Sequence, residues 1–278
     1  MRCGFVTCVR LGEACIEEIL DFGGHLDLLV TLRDDLGVNK SGRVYLDEIA
    51  QQHGIPLLKV ANINEAGLIE VLRDADLDWL FIIGWSQIAR AEVLHVPRRG
   101  VLGMHPTLLP EGRGRASIPW AILKRLDRTG VTLFRLDEGV DTGPILAQHV
   151  LPLSPAETAT TLYERVVGAH RSLLRNTWPA LLSGEVEERA QDETLATEWP
   201  GRGPQDGEIY PAEMRVADVE CLVRALTHPY PGAFVARDDG RILRIWSGEP
   251  VTGSVPPGAL VLTLSDGEYA VRSYDIEP

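Results

Sequence analysis

Between residues 100 and 143 the sequence gathers side chains of unlike chemistry at close spacing. Gly103-Met104-His105-Pro106-Thr107-Leu108-Leu109-Pro110 leads into Arg113-Gly114-Arg115, and Leu136-Asp137-Glu138-Gly139-Val140-Asp141-Thr142-Gly143 follows. A histidine just past the end of an apolar strand stands where open α/β sheets place their ligands, outside the carboxyl ends of the strands. Alone, such a histidine reads first as a packed strand end making one hydrogen bond. Asp141, in a loop framed by glycines, is expected to flank the same edge and to offer a carboxylate partner. That pair would orient the imidazole and favour its taking up a proton, as a general base near neutral pH requires. Cations in two further places could hold a phosphate: Lys40 and Arg43 in the glycine-flanked loop 34–43, and Arg113 and Arg115 beside the histidine. The 34–43 loop also reads as an ordinary solvated loop.

The elements that must position these groups alternate along the first half of the chain. Apolar runs at 3–8, 25–32, 56–60, 79–83 and 100–104 read as strands. Between them, helical periodicity covers 13–20, 45–52 (stopping at Gly54) and 65–73 behind Asn64 as cap. This βαβ alternation implies a Rossmann-like α/β fold, a mainly parallel sheet flanked by helices. Strands at 131–136 and 145–150 and a long helix over 158–182 complete a first domain, residues 1–183. From 184 to 205 the chain is polar and acidic without a period, which reads as a linker or surface strap. Residues 206–278 hold one helix, 216–225, and short strands split by the hairpin signals Asp239-Gly240 and Asp266-Gly267, a small C-terminal β-barrel-like domain.

Composition narrows the function classes. The 278 residues are 45% hydrophobic and 24% charged, enough for a full core. No run approaches the ~20 apolar residues of a membrane helix. The opening MRCGFVTCVR lacks the shape of a signal peptide, so a cytoplasmic protein is expected. The net charge of −13 argues against a broad grip on nucleic acid or an anionic membrane. Four cysteines without CxxC spacing argue against a disulfide framework and a structural zinc site, and no metal is implied.

The run HPTLLPEGRGRASIPWAIL followed by TGVTLFRLDEGVDTGPILAQ resembles the formyltransferases that use 10-formyltetrahydrofolate. That family includes glycinamide ribonucleotide, methionyl-tRNA and sugar N-formyltransferases. The likeness runs from the first strand to about residue 182 and resumes in Arg202-Gly203-Pro204-Gln205-Asp206-Gly207-Glu208-Ile209 and in Pro231-Gly232-Ala233-Phe234. It implies that His105 and Asp141 are catalytic. The family's third catalytic residue, an asparagine that polarises the formyl oxygen, is replaced here by Gly103. Trp85, Ser86, Gln87 and Ile88, with Asp137, Glu138, Gly139 and Val140, would cradle the pterin ring of the donor. Arg113 and Arg115, with Lys40 and Arg43, would meet a phosphate-bearing amine substrate.

The family leaves the amine open. Residues 201–278 carry seven arginines and no lysine against twelve carboxylates, a balance of −5, which is a poor platform for tRNA. A nucleotide-linked amino sugar fits better, with the C-terminal domain as a structural or dimerising module. Three alternatives stand beside this reading: a methionyl-tRNA formyltransferase, a formyl-folate hydrolase, and a folate- or nucleotide-sugar-binding member that Gly103 has left without transfer activity.

Overall fold

The structure is a computed structural model and describes residues 1–37, 42–255 and 258–278. Two compact units emerge. One comprises Met1–Gly114, Thr129–Leu151 and Arg165–Glu198; the other comprises Arg115–Arg128, Pro152–Glu164 and Trp199–Pro278. The elements in chain order are β1 (Cys3–Val6), α1 (Arg10–Asp21), β2 (Leu28–Leu32), α2 (Asp47–His53), β3 (Leu57–Val60), α3 (Ala66–Ala75), β4 (Trp79–Ile83), α4 (Ala91–Leu94), β5 (Gly100–His105), β6 (Arg113–Gly114), α5 (Ser117–Leu123), β7 (Arg128–Arg135), β8 (Ile145–Pro152), α6 (Ala159–Ser183), β9 (Glu198–Trp199), α7 (Val216–Leu226), β10 (Ala233–Ala236), β11 (Ile242–Pro250), β12 (Leu260–Leu264) and β13 (Gly267–Glu277).

The first unit is built on a seven-stranded sheet of order β3-β2-β1-β4-β5-β7-β8. Its strands from β3 to β5 are parallel, as the alternation implies, and β7 runs antiparallel to β5. Every residue of β4 (WLFII) is buried, the expected state of a strand covered on both faces. Val6, Leu80, Ile82 and Val101 pack with Leu68, Leu72 and Val93 on one face. On the other, Phe81 stacks on Phe5 and on Trp178 of α6, with centroids 5.6 and 5.9 Å apart. Asn64 does not cap α3. Its amide instead receives the Arg90 N–H and donates to the Ile88 carbonyl, holding the segment after β4 against the β3–α3 turn. Residues 184–198 form a strap along this unit. There Arg189 exchanges two backbone hydrogen bonds with Ile145, and Glu188 pairs with Arg135.

In the second unit an antiparallel sheet of order β10-β11-β13-β12 packs on α7 around Leu222, Val223, Ile245 and Tyr269. Both Asp-Gly dipeptides turn hairpins, at β10–β11 and β12–β13. Register shifts around Ser247 bend β11 against β13.

Helix α6 buries one titratable group. His170 is fully buried and bonds the Val166 carbonyl through Nδ1 at 2.8 Å, so Nδ1 carries the proton and Nε2 is bare. Burial pulls its pKa down from 6.5 to about 4, with a smaller contribution from His105. The unfolded chain therefore takes up a proton that the native state refuses. Between pH 6.5 and about 4 this one group should remove up to roughly 3 kcal/mol of stability as the pH falls. His170→Phe should flatten that part of the curve. Urea unfolding of both proteins at neutral pH and near pH 4.5 checks it, and identical pH slopes would contradict the assignment.

Candidate active site

Strand β5 delivers His105 to the carboxyl edge of the sheet. Alternation along the strand puts Val101, Gly103 and His105 on one face. The chain then turns sharply: the Thr107 N–H donates to the His105 carbonyl at 2.9 Å. Thr132, opposite His105 on β7, braces that turn. Its hydroxyl donates to the Thr107 carbonyl at 2.8 Å and accepts the Leu109 N–H at 3.1 Å and the Gln148 amide at 2.9 Å.

The imidazole is buried, with Nε2 2.8 Å from the Gly112 carbonyl oxygen. A carbonyl oxygen can only accept, so Nε2 carries the proton and Nδ1 holds the lone pair of the neutral ring. Asp141 Oδ2 lies 3.5 Å from Nδ1, too far for a short hydrogen bond but close enough to stabilise a proton taken up there. The same oxygen accepts the Gly114 N–H at 2.8 Å.

Asp141 sits in left-handed backbone, φ +57°, a conformation a non-glycine residue keeps only where its surroundings impose it. Upstream, Asp137 Oδ1 accepts the Gly139 N–H at 3.1 Å and the Thr142 hydroxyl at 2.6 Å. Downstream, a Cβ on Gly143 would stand 1.9 Å from the Arg135 carbonyl, so only glycine fits. The loop is braced at both ends.

The remaining sequence-derived candidates divide. Asp137, Glu138 and Gly139 line a cleft of about 660 Å³ with Leu94, Val101 and Leu136, in the size range of small-molecule sites. Leu136 also lies against Gly103, so the cleft adjoins the strand that carries His105. Val140 is exposed on the same loop. Trp85 packs on Val9 and Leu32, and its indole N–H donates to Gln87 Oε1 at 3.3 Å. Gln87 is tied to Ile63 and Ala61, Ser86 is exposed, and Ile88 is 64% exposed. None of these four lines the cleft.

The arginines differ from the expectation of phosphate ligands. Arg113 is buried, and its guanidinium donates to Glu193 at 2.7 and 2.8 Å and to Gln191 Oε1 at 2.8 and 3.2 Å. Arg43 turns inward to the carbonyls of Cys8 and Leu32 and the Thr31 hydroxyl, closing the carboxyl ends of β1 and β2. Both are committed to the protein because a buried guanidinium must find acceptors within it. Arg115 is exposed in the second unit, and Lys40 lies outside the described residues.

Sequence reasoning missed Thr132, Gln191 and Thr197. Thr197 holds the peptide of the histidine's acceptor: its hydroxyl takes the Gly112 N–H at 2.9 Å and its carbonyl the Arg113 N–H at 2.9 Å. A polar stretch of twenty residues without periodicity was the available signal, because such loops in compact proteins are mostly functional.

Residues 41–177 match the formyl transferase family. The methionyl-tRNA formyltransferase of Agathobacter rectalis is 31% identical over 256 residues, 91% of this chain and 82% of that protein. The chain belongs to the formyl transferase family, and it is a formyl-transferring enzyme. A sugar N-formyltransferase from a Shewanella species has the same fold, with a TM-score of 0.71, 18% identity and coverage of 91% of this chain and 99% of that one. So does the N-formyltransferase of Helicobacter canadensis in complex with folinic acid and dTDP-3-aminofucose, with a TM-score of 0.69, 16% identity and coverage of 98% and 99%.

The geometry gives two expectations. His105→Ala should lower turnover by at least the ~10²-fold of a lost general base, and Asp141→Asn should impair turnover with the fold intact. Near-wild-type steady-state rates for purified His105→Ala would exclude it as the base. At Gly103 a Cβ would stand 2.6 Å from Leu136 Cδ2 and 3.3 Å from Phe134 Cε1, so apolar carbons occupy the space of the missing asparagine. Gly103→Asn should therefore lower the melting temperature without raising the rate, and a tenfold gain in formyl transfer would show that the amide is what the site lacks.

Proposed function

We propose that this enzyme moves a formyl group from 10-formyltetrahydrofolate to a primary amine on a nucleotide-linked amino sugar. The observation that carries the chemistry is the commitment of His105 Nε2 to the Gly112 carbonyl, which leaves Nδ1 as a base beside Asp141. The donor supplies an activated formyl carbon. Its pterin is assigned to the cleft lined by Leu94, Val101 and Leu136 together with Asp137, Glu138 and Gly139. Trp85, Ser86, Gln87 and Ile88 lie outside that lining, and Gln87 is bonded to the segment after β3 at Ala61 and Ile63.

His105 Nδ1 takes the proton released by the amine as it attacks, and Asp141 holds the resulting imidazolium by charge. As the old C–N bond breaks, the same proton passes to the departing nitrogen. Holding donor and amine side by side supplies much of the rate.

The sugar reading draws support from the folds of the Shewanella and Helicobacter enzymes and from the acidic balance of the chain. The identity with the Agathobacter enzyme favours methionyl-tRNA as a second reading. Charge weighs against it, because binding to a polyanion depends on surplus cations, and two of the phosphate candidates, Arg43 and Arg113, are consumed internally. With 10-formyltetrahydrofolate, mass analysis should detect N-formylation of a dTDP-linked amino sugar and none of charged initiator tRNA at physiological salt. Efficient formylation of the tRNA would overturn the sugar assignment, and donor turnover without any amine would indicate a hydrolase.

A further inference from the structure

The strap over residues 184–198 does more than cover the sheet. Gln191, half-buried within it, spends its whole side chain on the active-site loops. Its Oε1 accepts from Arg113 Nη2 at 2.8 Å and Nε at 3.2 Å. Its Nε2 donates to the Asp141 carbonyl at 2.8 Å and to the Gly143 carbonyl at 2.7 Å. Arg113 can only donate and the two carbonyls can only accept, so these partners set the orientation of the amide unambiguously. The two carbonyls bracket Thr142, immediately after the left-handed Asp141. Arg113 in turn is anchored at its far end by Glu193 and through its backbone N–H by Thr197.

We propose that Gln191 is a positioning residue: its amide clamps the backbone of the Asp141–Gly143 turn and so holds the Asp141 carboxylate against His105 Nδ1. The proposal rests on the reading of His105 and Asp141 as the acid–base pair. Both bonds come from the one amide nitrogen of Gln191. Glutamate at 191 would present an acceptor to two acceptors, and asparagine would fall one methylene short, so glutamine alone among these side chains satisfies both partners. Thr197 acts in parallel on the other half of the pair, through the Gly112 peptide that receives His105 Nε2–H. One segment, remote in sequence from both motifs, thus sets the tautomer of the base and the place of its carboxylate.

The test compares Gln191→Ala and Gln191→Glu with Glu187→Ala. Glu187 lies on the same strap, and its side chain is exposed. Both Gln191 variants should lose roughly 30- to 100-fold in kcat, the scale of a small misplacement of catalytic groups, with KM for 10-formyltetrahydrofolate changed by less than about threefold. Glu187→Ala should keep the wild-type kcat. Hydrogen exchange of the Gly114 amide, which reports its bond to Asp141 Oδ2 whether or not formyl is transferred, should be fast in the Gln191 variants and protected in wild type and Glu187→Ala. Wild-type protein that protects this amide but formylates no amine would sink the functional reading and leave the clamp standing. Gln191 variants that retain kcat within threefold or keep Gly114 protected would overturn the clamp, as would an equal loss in Glu187→Ala, and if Gln191→Ala does not fold, the Gln191→Glu result decides alone.

Discussion

A backbone carbonyl has no proton to give, and the candidate site is arranged around that fact. The Gly112 carbonyl receives His105 Nε2 and leaves the ring one neutral tautomer, with its lone pair on Nδ1 toward Asp141. The Gly112 peptide must therefore be held still. Thr197 grips its N–H, the left-handed φ of +73° at Gly112 aims the carbonyl, and Thr132 braces the turn between the histidine and this loop. A threonine inside an apolar strand and a threonine in an acidic strap acquire their purpose from one acceptor.

The distribution of charge follows a second constraint. A guanidinium taken out of water needs acceptors for most of its five donors, and removing one partner of such a pair is costly. Arg43 and Arg113 meet that need with backbone carbonyls, a glutamine and carboxylates, while Arg135 is paired with Glu188 and donates to the Arg99 carbonyl. In a chain with 27 basic and 40 acidic side chains, Arg43 and Arg113 are spent within the protein, whereas Arg135 also lines the cleft. The cleft of the first unit is of mixed character, apolar at Leu94, Val101 and Leu136, with Arg98, Arg99 and Arg135 facing it as well as Asp137 and Glu138.

Gly103 shows how packing changes the meaning of a substitution. Considered alone, a glycine in place of asparagine is the loss of a polar group. In the folded chain Leu136 and Phe134 fill the space a side chain would need. The position is thus part of an apolar surface beside the cleft, and restoring the amide means displacing well-packed carbon.

Much of this protein was legible without coordinates, because the patterns concerned are local. Strand and helix periodicities, the two Asp-Gly turns, the placing of His105 at a strand end and the pairing of two motifs each depend on residues near one another in the chain. The parallel sheet from β3 to β5 follows from such patterns, as do His105 and Asp141 as partners. The roles of the arginines were not legible: a guanidinium in a loop looks the same whether it faces solvent or turns inward, and the partners of Arg113 lie about eighty residues away. Nor were Gln191 and Thr197, whose hydrogen bonds reach back 48 to 85 residues and leave no period in a polar strap. The sequence by itself determined which groups could do the chemistry. Only the tertiary structure decided which nitrogen of His105 carries the proton of the neutral ring, because that depends on a carbonyl whose position is set by a segment distant in the chain.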